Sequence, residues 1–270
     1  MPSSNRIADA FAAAKAQSRP ALVAYLTAGD PSPARSASLA LALNRGGADV
    51  LELGVPFSDP VADGPVIQQA SDRALKAGTN VRRVLEIAAE IRRQSALPIV
   101  LFSYLNPLMR YGFDALARDA RDAGIDGCLL TDLSVEEAAG PVSKLRAAGL
   151  DTVFLAAPTS TDRRLKLVSE LSSGFVYVVS RTGVTGERSD VAASVEPLVN
   201  KIKSMTDKPL AVGFGVSKRE HVAAIGGYAD GVIIGSAIMR IIEQHGHAPD
   251  LESRLEQFMR TLSGKEDSPR

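Results

Sequence analysis

The stretch Leu51-Glu52-Leu53-Gly54-Val55-Pro56-Phe57-Ser58-Asp59-Pro60-Val61-Ala62-Asp63-Gly64-Pro65 joins an apolar strand to a loop that contains three prolines. A strand places alternate side chains on opposite faces, so Leu51 and Leu53 share one face and Glu52 lies on the other. Both faces are otherwise apolar, and a carboxylate buried there is costly unless its charge is used. Asp63 follows eleven residues after Glu52, at the end of the loop. The stretch therefore predicts a buried strand and a restrained loop that together hold two carboxylates.

Seven other apolar runs have a similar length and composition, and a helix-like stretch follows each one. Strands that are apolar on both faces and joined by helices belong in a parallel sheet. Eight such units, with one more helix at the N-terminus, favour an α/β fold, a closed (β/α)8 TIM barrel. Two capping boxes, Ser134-Val135-Glu136-Glu137 and Ser217-Lys218-Arg219-Glu220, predict where two of the helices begin. The predicted strands are residues 21–28, 49–55, 98–105, 127–133, 151–157, 175–181, 209–215 and 231–237.

The barrel is expected to occupy residues 1–270 as a single domain. The extra helix is placed within residues 1–18, and the polar tail of residues 263–270 is predicted to be frayed. The alternative is an open, Rossmann-like sheet. It is disfavoured because Thr27-Ala28-Gly29-Asp30-Pro31 follows the first strand in place of a Gly-x-Gly-x-x-Gly turn.

The charge of the chain is balanced, with 31 basic and 31 acidic residues among 270. This balance predicts no basic surface of the kind that binds nucleic acid or an anionic membrane. No apolar run approaches the ~20 residues that span a bilayer. The N-terminus also lacks the charged-then-apolar layout of a secretory signal. We therefore expect a soluble, cytoplasmic protein.

Cysteine and histidine, the usual zinc ligands, are scarce, with one cysteine and three histidines. Cys128 is the single cysteine, so an intrachain disulfide is impossible, and its position within a strand favours a core role. His221 falls in a predicted helix, and His245 and His247 follow the end of another. A zinc site needs a denser set of ligands than this. No metal site is predicted.

In a barrel of this type, the chemistry is located at the carboxyl ends of the strands. Glu52, buried without a partner, would have a raised pKa suited to a proton shuttle, whereas Asp63 in a polar loop would stay ionised more easily. Two carboxyl groups in different environments allow acid and base chemistry at one site. The alternative is a structural ion pair or a capping contact. The strand-end candidates are Glu52 with Asp63, Tyr104-Leu105-Asn106, Thr131-Asp132, Tyr177, Ser180-Arg181, Gly213-Phe214-Gly215 and Gly235-Ser236.

Glycines after the last two strands predict a phosphate site. Gly213-Phe214-Gly215 ends the seventh strand, and Gly235-Ser236 ends the eighth just before a helix. Glycine lets backbone N–H groups approach an anion, and a helix N-terminus adds partial positive charge. The alternative is tight packing at the strand ends. The glycine-rich segment Ser180–Ser189 is interpreted as a mobile lid, for which the alternative is a plain surface loop.

The block Glu52–Pro65 closely resembles the signature of the tryptophan synthase alpha chain family. Further matching segments lie in the same order along nearly the whole chain. They are Leu26-Thr27-Ala28-Gly29-Asp30-Pro31, Tyr104-Leu105-Asn106-Pro107, Ser180-Arg181-Thr182-Gly183-Val184-Thr185-Gly186, Gly213-Phe214-Gly215-Val216 and Gly235-Ser236-Ala237-Ile238. One departure is Ser134, where family members usually have proline. It affects the expected detail of the subunit contact and not the catalytic residues.

The resemblance implies a carbon–carbon lyase that splits indole-3-glycerol phosphate into indole and glyceraldehyde 3-phosphate by retro-aldol cleavage. By motif position, Glu52 would be the general acid and base, and Asp63 would hold the indole N–H. Tyr177 and Thr185 would line or close the site. The remaining implied contacts are Tyr25, Phe102, Leu129 and Phe214 around the indole ring, and Gly186, Gly215, Gly235 and Ser236 around the phosphate.

The resemblance also implies a partner, the tryptophan synthase beta subunit, in an alpha2-beta2 assembly. Pyridoxal phosphate would belong to that partner, which takes up indole through a channel, and no cofactor is expected in this chain. The loops after the second and sixth strands and the segment around Asp132 would form the contact surface. The alternatives are another phosphate-binding barrel enzyme, a stand-alone indole-releasing lyase, and a non-catalytic regulatory subunit.

Overall fold

The computed structural model describes residues 5–179, 188–213 and 215–265. Its eight strands pair in parallel in chain order, and β1 also pairs with β8, so the sheet closes on itself. The closed barrel confirms the predicted TIM-barrel fold and excludes the open sheet. The strands are β1 (Ala21–Thr27), β2 (Val50–Gly54), β3 (Ile99–Ser103), β4 (Gly127–Leu130), β5 (Asp151–Ala156), β6 (Val176–Val179), β7 (Leu210–Gly213) and β8 (Gly231–Ile234).

Most strands end before the apolar run that predicted them, and several residues just beyond the strand ends stay buried. Leu133 was expected in the fourth strand, yet β4 ends at Leu130. Leu133 is nevertheless 9% exposed, and Tyr104, just beyond β3, is 3% exposed. Apolar composition therefore marks burial in this barrel more faithfully than it marks membership of the sheet.

The described residues form twelve helices, whereas the sequence pattern predicted one at the N-terminus and one after each strand. The helices are α1 (Arg6–Ala16), α2 (Pro33–Gly46), α3 (Pro65–Lys76), α4 (Val81–Arg92), α5 (Leu105–Tyr111), α6 (Phe113–Asp122), α7 (Ala139–Ala147), α8 (Asp162–Leu171), α9 (Arg188–Lys203), α10 (Arg219–Gly226), α11 (Ser236–His245) and α12 (Leu251–Ser263). The strands β2, β3 and β8 are each followed by two helices. Gly112 separates α5 from α6 at a φ of 93°, a backbone conformation that glycine adopts without strain.

Both predicted capping boxes are wrong as helix starts. Ser134 donates its hydroxyl to the side chain of Glu137 at 3.2 Å, but α7 begins only at Ala139. Lys218, and not Ser217, occupies the N-cap of α10, and no side chain caps that helix. Residues 135–138, between Ser134 and α7, form turns, which use the same local polar contacts as a cap.

The barrel interior is packed, and α1 covers its N-terminal end. Ile7, Phe11 and Ala14 of α1 belong to the same apolar cluster as the inward-facing strand residues. The Phe11 and Phe175 rings lie 5.5 Å apart between centroids. The predicted N-terminal helix is therefore present, and it forms the floor of the barrel. Of the predicted frayed tail, Ser263 ends α12, and residues 266–270 lie outside the described residues.

An aspartate motif repeats at that N-terminal end. The residue directly before β2, β4 and β8 is an aspartate whose carboxylate accepts an N–H from the start of the preceding strand. These N–H to carboxylate pairs are Leu22 to Asp49 at 2.8 Å, Ile99 to Asp126 at 2.8 Å, and Leu210 to Asp230 at 3.0 Å. A basic residue lies against each carboxylate, namely Arg19, Arg92 and Lys203. These contacts stabilise the floor, the end of a TIM barrel that serves stability and not catalysis.

Two composition-based expectations can be compared with the fold. Cys128 lies in β4 and is 2% exposed, and burial raises the pKa of its thiol to about 12, which confirms a core role. Among the described residues, no helix has both the length and the apolar character that a membrane span requires.

Candidate active site

Glu52 lies inside the barrel, in the middle of β2. It shares the inward-facing parity of Val50 and is in register with Tyr25 on one side and Val100 on the other. Its side chain is 0% exposed, and neither carboxyl oxygen has a hydrogen-bond partner among the described residues. The alternative of a structural ion pair therefore finds no support in this part of the chain.

Burial alone raises the pKa of Glu52 to about 8. The cause is that a carboxylate loses its hydration in an apolar interior and regains nothing from a cation or a donor. The carboxyl group is consequently protonated at neutral pH and can act there as an acid. A buried and unpartnered acid inside an otherwise apolar barrel is typical of a catalytic group.

Asp63 lies in the loop between β2 and α3 and is only partly exposed. Its carboxylate Oδ2 accepts a hydrogen bond from the Tyr104 hydroxyl at 3.1 Å. Burial raises the pKa of Asp63 to about 6, and the Tyr104 hydrogen bond opposes that rise. Asp63 is therefore ionised at neutral pH while Glu52 is protonated, so the two carboxyl groups differ in the expected direction.

Tyr104 and Gln68 hold the loop that carries Asp63. The Tyr104 hydroxyl accepts the backbone N–H of Ala62 at 2.9 Å, and its ring packs against Phe57 at 5.1 Å between centroids. Gln68, in the first turn of α3, donates its side-chain amide to the carbonyl of Asp63 at 2.9 Å. Tyr104 was predicted as a strand-end candidate and as part of a family motif, without a role for its hydroxyl. A tyrosine at the end of the neighbouring strand was the available signal, but the contact joins residues 41 positions apart.

Tyrosine and phenylalanine rings surround the carboxyl groups. Tyr25 and Phe102 meet edge to face at 5.1 Å between centroids. Burial raises the pKa of Tyr25 and of Tyr177, and the charges of Glu52 and Asp63 raise both further, so the four groups share one electrostatic environment. Both phenols stay protonated at physiological pH.

Leu129 completes the part of the ring slot that the structure describes. It is 0% exposed, lies in register with Phe102 of β3, and belongs to the interior cluster against which Phe102 and Tyr177 pack. The structure therefore brings Tyr25, Phe102, Leu129 and Tyr177 together with Glu52 in the barrel interior. Such an arrangement is a largely apolar slot with a few polar groups, as expected for a small aromatic ligand.

Two glycines at the barrel mouth are explained by packing. A Cβ on Gly54 would lie 2.3 Å from the Tyr25 hydroxyl, and a Cβ on Gly213 would lie 2.7 Å from the Tyr177 hydroxyl. Both positions need a residue without a side chain because a tyrosine occupies the space. The packing alternative therefore accounts for the glycine at position 213.

Gly215 and Gly235 differ from those two glycines. A Cβ on Gly215 would meet nothing within 4 Å, and its φ of 34° lies in the left-handed region. Gly235 is the N-cap of α11, where no side chain caps the helix, and Ser236 is the first helical residue. The first turn of α11 contains no acidic residue. The free N–H groups and the dipole of this helix favour an anion beside Gly235.

Three of the sequence-predicted site residues, Thr185, Gly186 and Phe214, lie outside the described residues. The same is true of residues 180–187 of the predicted lid, whereas Arg188 and Ser189 begin α9. Within the described ranges, no three histidine, cysteine, aspartate or glutamate side chains lie close enough together to hold a metal ion.

Comparison with known proteins agrees with this geometry. The model of the family described as tryptophan synthase alpha chain matches residues 11–267. A tryptophan synthase alpha chain from Solibacter usitatus is 60% identical over 257 residues, which cover 95% of this chain and 96% of that protein. The crystal structure of tryptophan synthase subunit alpha from Legionella pneumophila str. Paris superposes with a TM-score of 0.89 at 36% identity, covering 97% of this chain and 98% of that chain.

A second solved structure concerns mutual activation of the tryptophan synthase a2b2 complex from Pyrococcus furiosus. It superposes with a TM-score of 0.86 at 42% identity and covers 91% of this chain and 98% of that chain. Sequence and structure thus identify similar proteins over nearly the whole length.

Proposed function

The chain belongs to the tryptophan synthase alpha chain family, and on this premise we propose that it cleaves indole-3-glycerol phosphate to indole and glyceraldehyde 3-phosphate. The reaction is a retro-aldol cleavage, and the enzyme is a carbon–carbon lyase. The observation that carries the proposal is the carboxyl group of Glu52, which is fully buried and unpartnered among the described residues and is protonated at neutral pH.

Glu52 serves first as the acid and then as the base. Its proton passes to the indole ring carbon that bears the glycerol side chain, and the ring nitrogen becomes a cationic iminium. The bond between that carbon and the side chain then breaks, and its electron pair restores the aromatic ring. The adjacent side-chain hydroxyl loses its proton as its carbon becomes an aldehyde, and Glu52 takes up that proton. The proton count therefore balances without any other reactant.

Asp63 stabilises the charge that develops during this step. Its carboxylate is ionised at neutral pH and accepts the indole N–H, so it lies opposite the nitrogen that becomes positive. An interaction that strengthens as charge develops lowers the barrier, since it stabilises the transition state more than the ground state. Tyr104 keeps the carboxylate in place through its hydrogen bond.

The other site residues bind the two ends of the substrate. Tyr25, Phe102, Leu129 and Tyr177 form the slot for the ring, which supports an indole substrate. Gly215, Gly235 and Ser236 offer backbone N–H groups and the N-terminus of α11 to the phosphate. Three residues keep the roles that the family resemblance implies: Thr185 closes the site around the carboxyl groups, Gly186 binds the phosphate and Phe214 contacts the ring.

The proposed partner is a tryptophan synthase beta subunit in an alpha2-beta2 assembly. Exposed apolar side chains beside the barrel mouth support a partner at this face, since Val61 is 86% exposed and Met109 is 58% exposed. Asp132 accepts the backbone N–H of Leu105 at 2.7 Å and so joins the loop after β4 to the start of α5 at this surface. Pyridoxal phosphate belongs to the beta subunit in this proposal, and the proposed location is the cytoplasm.

The test is an assay of indole release from indole-3-glycerol phosphate, with and without a beta subunit. We expect slow release by the chain alone, acceleration by the beta subunit, and loss of release in Glu52→Gln. Binding of glycerol 3-phosphate and the circular dichroism spectrum should be unchanged in that variant. Full activity of Glu52→Gln, or no cleavage by the unaltered chain under either condition, would overturn the proposal.

A further inference from the structure

Asp30 is a fully buried carboxylate in the loop after β1, held by one arginine. It is 0% exposed. Arg73 of α3 donates Nε to Oδ1 and Nη2 to Oδ2 of Asp30, both at 2.8 Å. This two-pronged geometry is the strongest form of arginine–carboxylate contact. The pair lies outside the set of residues assigned to substrate, so its presence needs another explanation.

Arg73 connects the two helices that begin at opposite ends of the site. The helix α3 starts directly after the loop of Asp63, and Gln68 in its first turn holds the carbonyl of Asp63. The helix α11 starts at Ser236, at the phosphate end. Arg73 Nη1 donates to Glu243 Oε1 of α11 at 3.4 Å. One guanidinium group thus contacts the loop after β1 and bridges α3 and α11.

The loop of Asp30 is also wedged between these helices. A Cβ on Gly29 would lie 1.9 Å from the hydroxyl oxygen of Thr79, which follows α3. A Cβ on Gly246, which follows α11, would lie 3.0 Å from the Cβ of Pro31. Contacts this close leave the loop no room to shift without moving one helix. The spacing of α3 and α11 is therefore fixed around Asp30 and Arg73.

We infer that Arg73 is a positioning residue that sets the separation between the Asp63 end and the phosphate end of the site. The inference rests on the proposed function, because only a ligand with a ring and a phosphate on one chain engages both ends. Such a ligand gains from correct spacing, since two contacts made at once depend on their separation. A ligand that reaches only one end does not depend on it.

Three probes distinguish spacing from general stability: indole, glycerol 3-phosphate, and a non-cleavable ligand with an indole ring and a phosphate joined by a propyl chain. In Arg73→Gln we expect the spanning ligand to bind about tenfold more weakly and kcat to fall by about tenfold or more. The affinities for indole and for glycerol 3-phosphate should each change by less than about twofold. Arg73→Lys, which keeps a charge on Asp30, should recover part of the loss.

Two further variants control for folding. Asp30→Asn/Arg73→Gln leaves no buried charge unpaired and serves in place of the single variant if that variant unfolds. Arg92→Gln is the control, because Arg92 also donates to a carboxylate with little exposure, that of Asp126, at 2.8 Å, but at the floor of the barrel, where Arg6 contacts the same carboxylate. It should lower stability while leaving the affinities for all three probes unchanged.

Equal weakening of all three probes in the folded Arg73 variants, or unchanged affinity for the spanning ligand, overturns the inference and leaves the proposed function intact. Failure of the unaltered chain to cleave indole-3-glycerol phosphate with a beta subunit present overturns the proposed function, and this inference with it. The two failures are therefore separable.

Discussion

The hydroxyl of Tyr104 lies 3.1 Å from the Asp63 carboxylate and accepts the N–H of Ala62 at 2.9 Å. One phenol from the unit that contains β3 thus holds both the side chain and the backbone of the loop that follows β2. Because it binds the loop at two points, it fixes the direction of the Asp63 carboxylate as well as its position.

Tyr104→Phe removes the hydrogen-bond donor to Asp63. It should lower kcat by about tenfold, which corresponds to the free-energy contribution of a hydrogen bond to a charged group. It should also move the acid limb of the pH profile upward, because the Tyr104 hydrogen bond lowers the pKa of Asp63. Indole release measured across pH checks both effects. Tyr111→Phe is the matched control, since it removes a hydroxyl that donates to Asp119 at 2.7 Å away from the site. An unshifted acid limb in Tyr104→Phe would contradict the role given to the phenol.

The activity should have a bell-shaped dependence on pH between the two carboxyl pKa values. Below about pH 6, Asp63 takes up a proton and no longer stabilises the cationic ring. Above about pH 8, Glu52 loses the proton that it donates. The measurement is kcat/KM for indole release from pH 5 to 9.5, which reports the free enzyme. A profile that stays level up to pH 9.5 would argue against Glu52 as the acid.

The burial of Glu52 also predicts that the free energy of unfolding falls as pH rises. The pKa of Glu52 is 4.5 in an unfolded chain and about 8 in the folded protein, so between these values the folded state binds the additional proton. Stability is therefore highest at the acid end of this window and decreases toward pH 8, by up to about 5 kcal/mol. The free energy of unfolding is measured with urea at pH 6.5 and 7.5. Its decrease with pH should be smaller in Glu52→Gln than in the unaltered protein, by about 1.4 kcal/mol per pH unit. Parallel slopes in the two proteins would show that Glu52 is ionised when folded.

At the phosphate end, Gly235→Asp should raise the KM for indole-3-glycerol phosphate by about tenfold or more, through repulsion between two negative charges. Gly235→Asn has nearly the same size and no charge, so the difference between the two variants isolates electrostatics from bulk. The backbone tolerates a side chain here, since the nearest atom to an added Cβ is the Tyr25 Cβ at 3.5 Å, an ordinary van der Waals distance. Added salt should reduce the difference in KM between the two variants, because it screens the repulsion. Equal KM values in the two variants would place the phosphate elsewhere.

Patterns within one segment were predictable from sequence. Alternation separated the face of Glu52 from that of Leu51 and Leu53, and the apolar surroundings of Glu52 indicated its raised pKa, because both depend on neighbours in the same strand. The eight apolar runs predicted the barrel fold for the same reason, since each run is a local pattern. The strand ends were less predictable, since Leu133 and Tyr104 are buried outside the sheet.

Contacts between distant segments were not predictable. The polar composition of its loop predicted that Asp63 ionises more easily than Glu52, but it did not indicate the burial that raises the pKa of Asp63 to about 6 or the opposing hydrogen bond from Tyr104. No local pattern at Gly213 indicated that the Tyr177 hydroxyl lies in the space that a side chain would occupy. The bridge from Asp30 through Arg73 to Glu243 spans more than 200 residues, and no local pattern indicates it.

The helix α1, which covers the N-terminal end of the barrel, affects the direction in which a product can leave the site. Phe11 and Phe175 belong to a packed cluster that fills the N-terminal end of the barrel, so the site is closed at that end. On the proposed function, we therefore expect indole formed beside Glu52 to leave through the mouth of the barrel and not through this end. Whatever covers the mouth then determines where indole goes: an open mouth releases it to water, whereas a docked partner receives it directly.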